Sequence, residues 1–216
     1  GNLNDTLRQG QGETFLINAY SRSQFMLGSE WQLNAGIHLM YFGMTGEVSV
    51  EPRLGIRYQL NPKHVLSFGY GLHSQIEPFF TYLTEGHDED GQWGRINDDL
   101  RFNKAHHFVL SYRWQASEKV GFVAELYHQE QFNMVVVEDL PISRVGGDDF
   151  LFETFNLNYG GTGQNTGLEM ALERTFADGY YFIANTSLFR STYSANDGVR
   201  RRSKFDTRFI GNGIVG

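Results

Sequence analysis

Several groups of residues have the types and spacing to do chemistry. In Glu85-Gly86-His87-Asp88-Glu89-Asp90-Gly91-Gln92-Trp93-Gly94-Arg95, Asp88 and Asp90 precede a glycine, as at the start of a calcium loop. Such a loop needs several converging carboxylates and carbonyls; the remaining positions are missing, so a solvated acidic loop is expected and no metal site is assigned. Trp93 beside Arg95 offers a stacking plane and a fixed positive charge, a pair suited to contacting a ligand. Asp98 and Asp99 precede His106 and His107, and a carboxylate can orient an imidazole base. Adjacent strand residues point to opposite sides, however, so His106 and His107 do not serve one site. With no G-x-S-x-G elbow and Ser111 deep in a strand, no catalytic residue is assigned. Gly161-Thr162-Gly163 through Gly167 is spaced unlike the dinucleotide fingerprint and precedes a strand rather than a helix, so no cofactor is expected. Arg200-Arg201-Arg202 with Lys204 is a basic run whose guanidinium forks match anionic oxygens, against the plainer reading of a solvated charge run.

Those residues must be carried by a chain of 216 residues with 18 Lys plus Arg, 25 Asp plus Glu and no cysteine. The net charge of −7 argues against nucleic acid, which calls for a basic stripe. Absent cysteine excludes disulfides, thiolate metal sites and cysteine nucleophiles. No apolar run approaches the 18 or so residues of a membrane helix, yet 15 % of residues are aromatic. A membrane β-barrel fits these facts, because its strands show only half their residues to lipid.

Period-2 alternation recurs along most of the chain. Residues 31–42 put Trp31, Leu33, Ala35, Ile37, Leu39 and Tyr41 on one face; 51–60, 64–74, 102–115 and 166–176 alternate in the same way. Segments 12–27, 119–131, 180–194 and 205–215 complete about nine strands, with no helix expected. Short turns at Gly28-Ser29-Glu30, Asn61-Pro62-Lys63, Ala116-Ser117-Glu118 and Ala177-Asp178-Gly179 alternate with longer connections at 43–50, 77–101, 132–165 and 195–204. Tight turns at one end and long loops at the other are the outer-membrane barrel pattern. Phe25, Trp31, Tyr58, Trp114, Phe176 and Tyr180 stand beside the short turns on the apolar face, as an interfacial girdle would. Tyr41 and Phe102 are candidates for the second girdle. The expected fold is all-β, an antiparallel up-and-down meander forming a fragment of a transmembrane β-barrel: an open, curved sheet with two free edges. An odd strand count and a first strand running toward the short turns predict at least one strand before residue 12 and more after residue 216.

The stretch Glu51-Pro52-Arg53-Leu54-Gly55-Ile56-Arg57-Tyr58-Gln59-Leu60-Asn61-Pro62-Lys63, followed by Leu66-Ser67-Phe68-Gly69-Tyr70-Gly71, resembles a TonB-dependent outer-membrane receptor, with its PR-x-x-x-R-Y strand, short turn and returning aromatic strand. Gly161-Thr162-Gly163-Gln164-Asn165-Thr166-Gly167-Leu168-Glu169-Met170-Ala171-Leu172-Glu173-Arg174 is similar to the same family's GTG-x-N-x-G-x-E-x-x-L-E strand, and Asp197-Gly198-Val199 with Arg201 and Phe205 is similar to the family's next loop and strand. The subtype suggested carries a carboxypeptidase-regulatory-like domain ahead of its plug. The resemblance implies that residues 1–216 are from the C-terminal part of a 22-strand barrel domain, ending before its final strands, whose plug lies outside this chain. It implies an outer-membrane location in a Gram-negative bacterium and uptake of a scarce solute (siderophore, cobalamin, glycan or peptide) driven through the TonB complex. The implied partners are outer-membrane lipid and lipopolysaccharide, the receptor's own plug, the TonB complex and the solute. Arg53, Arg57, Arg113, Glu125, Glu169 and Glu173, all on the polar face, would then contact the plug, and Trp93 and Arg95 the solute. Two other readings predict different packing. A complete small barrel, acting as a lipid-active enzyme or adhesin, would join segment 12–27 to 205–215; a secreted soluble β protein would pack its aromatic faces together.

Overall fold

The structure is a computed structural model that describes residues 11–87, 90–147 and 156–216. Its elements are β1 (Leu16–Leu27), β2 (Trp31–Phe42), β3 (Glu47–Asn61), β4 (His64–Gln75), the single-turn helix α1 (Phe79–Tyr82), β5 (Glu85–His87), β6 (Trp93–Arg95), β7 (Asn103–Gln115), β8 (Val120–Val137), the 3-10 turn η1 (Arg144–Gly146), β9 (Leu157–Ala177), β10 (Tyr180–Ser194), β11 (Arg200–Arg202) and β12 (Phe209–Val215). One antiparallel sheet runs β1-β2-β3-β4-β7-β8-β9-β10, and both β11 and β12 pair with the far side of β10. β5 and β6 form a separate hairpin within the longest loop. The nine expected strands are the nine long ones, and the three-residue β11 is an addition. Among the described residues β1 pairs only with β2 and β12 only with β10, so the sheet is open and the circuit required of a complete small barrel is missing.

The hairpins form where the sequence supplies turn chemistry. Asp178 and Gly179 both adopt positive φ, at 55° and 86°, the backbone of a two-residue hairpin whose twist matches the strands it joins. Asp178 also accepts hydrogen bonds from Arg174 Nη2 at 2.8 Å and Lys119 Nζ at 3.0 Å, which ties this turn to the neighbouring one.

Register then aligns side chains that alternation can only assign to a face. Phe25, Leu33, Ile56, Phe68, Leu110, Leu126, Leu168, Leu188 and Phe209 are successive cross-strand partners from β1 to β12. Among the described residues nothing covers this row: Leu110 and Leu126 remain 49 % and 51 % exposed. Nine strands at about 4.8 Å spacing and an apolar height of ~25 Å give an area on the order of 1,000 Å², well above what a soluble monomer leaves in water. The row also climbs away from the short turns. Leu33 stands two residues from the start of β2 and Leu188 eight from the start of β10. Six residues are ~20 Å of strand, gained over six strand spacings of ~4.8 Å, an incline of about 35°, within the tilt range of membrane barrels.

The buried core lies on the other, polar face, at the long-loop end. Phe42, Tyr82, Leu100, Phe102, Val135, Val137 and Leu157 pack together, with Met40, Met44, Ile76 and Ile142 against them. The connection after β4 folds back over the sheet and seals this cluster. Phe102 is therefore not a girdle residue: it is 1 % exposed inside the cap, and its N–H donates to Glu47 Oε2 at 2.5 Å. Tyr41 does lie on the apolar face, beside the ring of Phe15 at 5.8 Å. The connection expected at 43–50 is only four residues long, because β3 begins at Glu47, and β8 and β9 extend far into the loop expected at 132–165. A bulge at Asn133, where φ is 52°, bends the upper part of β8.

Candidate functional site

The polar face presents a continuous line of hydrogen-bonding groups beneath the loop cap. At its β2–β3 end His38 Nδ1 lies 2.8 Å from Glu51 Oε2, and Arg53 Nη2 donates to the same oxygen at 3.3 Å. Glu51 is 1 % exposed, so its charge is balanced by these two groups rather than by water. Farther along, the rings of His73 and His107 stand 4.7 Å apart. His107 Nε2 is 2.6 Å from the Gln129 amide, whose Oε1 accepts from Asn165 Nδ2 at 2.6 Å. Gly71 makes room for this line, since a Cβ there would meet His73 Nε2 at 2.7 Å.

The cap closes over this wall through a second network. Glu77, 3 % exposed, accepts from Asn103 Nδ2 at 2.6 Å and pairs with Arg144 Nε at 3.1 Å. Its backbone N–H donates to the Tyr82 hydroxyl at 3.1 Å, and burial pushes the Tyr82 phenol up to about 12. Gly146 of η1 fits against the Tyr193 ring so closely that a Cβ would stand 2.5 Å from it. Between cap and wall lies a cavity of about 590 Å³, whose lining includes Gln75, Asn103, Gln129, Gln131, Asn165 and Tyr127. Five carboxamides that both donate and accept share that lining with Ile76, Met134, Phe189 and Phe205.

The six polar-wall residues named from the sequence share this face but do not form one cluster. Glu125 and Glu169 are direct cross-strand partners. Arg57 lies on the same register row, through Ser67 and Ser111, and donates to Gln59 Oε1 at 2.7 Å. Arg53 joins Glu51, while Arg113 and Glu173 sit exposed nearer the short turns. Trp93 and Arg95 share one face of the β5–β6 hairpin, partnered by His87 and Glu85. Trp93 is 65 % exposed and meets the His87 ring edge-on at 5.1 Å; Arg95 Nη2 donates to the Gln11 carbonyl at 2.7 Å. Asp88 lies outside the described residues. Among the described residues no group of three or more His, Asp or Glu is arranged to hold a metal ion.

His106 and His107 do diverge. His106 faces the apolar side, 3.1 Å from the Tyr70 hydroxyl, and neither ring contacts Asp98 or Asp99. The basic run is internally matched. Arg201 forms a two-bond fork with Asp197 at 2.9 and 2.6 Å, which holds the Asp197 carboxyl down at about 2. Arg202 pairs with Asp206 at 2.5 Å and lowers its pKa in the same way. Arg200 donates to Gln164 at 2.6 Å. Glu51, His38, His73 and Glu77 were not singled out from sequence. The available signal was that His38 and Glu51 fall on the polar parity of adjoining strands.

A family model described as "TonB dependent receptor-like, beta-barrel" matches residues 2–215. Solved structures share the fold. The ferric-catecholate import receptor Fiu from E. coli K12 matches with a TM-score of 0.71 at 13 % identity, over 94 % of this chain and 32 % of that one. The RagAB peptide importer matches at 0.66 and 15 %, over 87 % and 23 %. The alcaligin outer-membrane receptor FauA from Bordetella pertussis matches at 0.62 and 16 %, over 94 % and 34 %. The chain thus spans about a third or less of the length of these structures. Among curated proteins none matches it.

Proposed function

The chain belongs to the TonB-dependent receptor β-barrel family, and from that premise we propose that it forms part of the wall of an outer-membrane active importer in a Gram-negative bacterium. The exposed apolar row from Phe25 to Phe209 carries this reading, because it has the incline of a lipid-facing band. The two open sheet edges and the partial coverage of the matched structures support a larger barrel that continues on both sides. Its polar face lines the lumen. There Arg53, Arg57, Arg113, Glu125, Glu169 and Glu173 meet the plug, through contacts exposed enough to break when the plug is pulled by the TonB complex. The loop cap forms part of the outer mouth, and Trp93 and Arg95 on its exposed hairpin meet the incoming solute. The matched proteins import iron chelates and peptides, and the solute here is of that general kind, a compound too large or too scarce for passive entry. The role is transport rather than catalysis.

The test is uptake by cells carrying the full-length receptor, with and without a protonophore that collapses the inner-membrane proton gradient. Accumulation of a solute that depends on both receptor and gradient supports the proposal. Uptake unaffected by the protonophore would contradict it.

A further inference from the structure

We propose that Arg190 and Arg208 form a binding site for the phosphate of an outer-leaflet lipid headgroup. The basic residues most obvious in the sequence are not free to do this, since Arg200, Arg201 and Arg202 are bonded to Gln164, Asp197 and Asp206. Arg190 and Arg208, by contrast, make no side-chain hydrogen bond or ion pair among the described residues, and both are exposed. Together with Thr166 and Leu188 they line a shallow depression of about 270 Å³. Thr166 is the register partner of Arg190, and its hydroxyl is held by His128 Nδ1 at 2.7 Å, which fixes a third polar group at the same place.

Height selects the ligand. Arg190 lies ten residues from the girdle residue Tyr180 on β10, and Thr166 ten from Phe176 on β9. That is ~33 Å of strand, or about 25 Å of height at the usual tilt. The depression thus sits at the upper margin of the apolar band, with Leu188 directly below it. A lipid phosphate lies at that level with its chains against the Leu188 row, an arrangement a free anion lacks. Guanidinium forks suit phosphate oxygens, and low local polarity strengthens the pairing. The backbone adds an independent sign. Arg208 has a φ of +66°, a left-handed conformation that is unfavourable for a side chain with Cβ. Strain retained at such a position points to a role for the residue that occupies it. Asp206 feels the Arg208 charge but is already bonded to Arg202, so neither Arg190 nor Arg208 has a hydrogen-bonded anion of its own.

This site rests on the reading that the apolar face meets lipid, and the test separates the two. The full-length receptor is purified in detergent, and its insertion is checked by heat-modifiable gel mobility. It is then titrated with diphosphoryl lipid A, with the dephosphorylated lipid and with inorganic phosphate, reading bound lipid by native mass spectrometry. Arg190→Gln with Arg208→Gln is expected to weaken diphosphoryl lipid A binding by about tenfold or more, the size of a lost charge-assisted contact. Arg201→Gln, which removes an already paired arginine, leaves that binding unchanged. Equal binding of the dephosphorylated lipid, or unchanged binding by a folded double variant, would overturn the proposal. Full displacement by millimolar phosphate would also overturn it, in favour of a soluble-anion site. Failure of the wild-type receptor to insert at all would instead sink the membrane reading, and this site with it.

Discussion

Glu125 and Glu169 face each other directly across β8 and β9 on the polar wall, two carboxylates in one cross-strand pair. The Ser187 hydroxyl donates to Glu169 Oε1 at 3.5 Å. Like charges in such a pair cost a few tenths of a kcal/mol to about 1 kcal/mol, so the wall by itself has no use for them. In the role proposed above they answer basic or hydrogen-bond-donating groups of a plug. Glu125→Gln should therefore raise the melting temperature of the plug-free barrel slightly. The same change should lower retention of a separately expressed plug on co-purification. Unchanged plug retention would remove Glu125 from the plug interface.

Gly167 is constrained by its neighbours rather than by its own backbone. A Cβ there would stand 2.5 Å from the Tyr127 ring and 2.8 Å from Phe189 Cβ. Gly167→Val should destabilise the barrel by roughly 1–3 kcal/mol, as overpacking does. Thermal loss of heat-modifiable mobility measures this. Tyr127→Ala in the same background should recover part of the loss, and no recovery would place the strain elsewhere.

The cap depends on Glu77. Replacing it with Ala strips Asn103 and Arg144 of their shared acceptor. Breaking a buried pair costs about 3–5 kcal/mol, and Arg144 is 31 % exposed, so screening reduces the effect to about 1–2 kcal/mol. The loss should appear as faster proteolysis within residues 76–102, with the heat-modifiable mobility of the wall preserved. Loss of both together would show that cap and wall fold as one unit.

Acid should release the loop after β10 only at low pH. The Asp197 carboxyl is held at about 2, below its ordinary 3.8, by the Arg201 fork. A depressed carboxylate stabilises the folded loop at every pH above its ordinary value and loses that contribution as pH falls through about 2. Hydrogen exchange at residues 195–204 should stay slow down to about pH 4 and then rise toward pH 2. Asp197→Asn should abolish that step. A rise already complete at pH 5 would contradict the pairing.

Much of this organisation was legible in the sequence, and the failures have physical causes. β2 matches the segment 31–42 because strict alternation runs between strong turn residues; β10 matches 180–194, which alternates less cleanly but follows the Asp178-Gly179 turn. β9 starts at Leu157, yet Gly160, Gly161 and Gly163 erase the alternation ahead of residue 166, so only the pairing with β8 reveals that first stretch. Val48 and Val50 continue the apolar face of β3, but the glycines at 43 and 46 make the whole stretch read as loop. Phe102 has the parity and position of a girdle residue; what buries it is the fold-back of a distant loop, which no periodicity records. The six wall residues share the polar face through the same alternation that marks β2. The Glu51 and Glu77 networks depend on register and on the cap, so residue type did not mark them. In the basic run, Arg201 and Arg202 are answered by Asp197 and Asp206 close by, pairings that residue type alone does not mark.

The central claim is that alternate residues of each strand face lipid and lumen. Residues 1–216 contain no cysteine, so a full-length receptor with any cysteine outside them replaced allows a direct measurement with single introduced thiols at adjacent positions of β8, Glu125→Cys and Leu126→Cys, in native outer membranes. A hydrophilic maleimide small enough to enter the barrel should label the thiol at 125 and spare the one at 126, and both should react once the protein is denatured. Rapid labelling at 126 in the intact membrane, with protection at 125, would contradict the account.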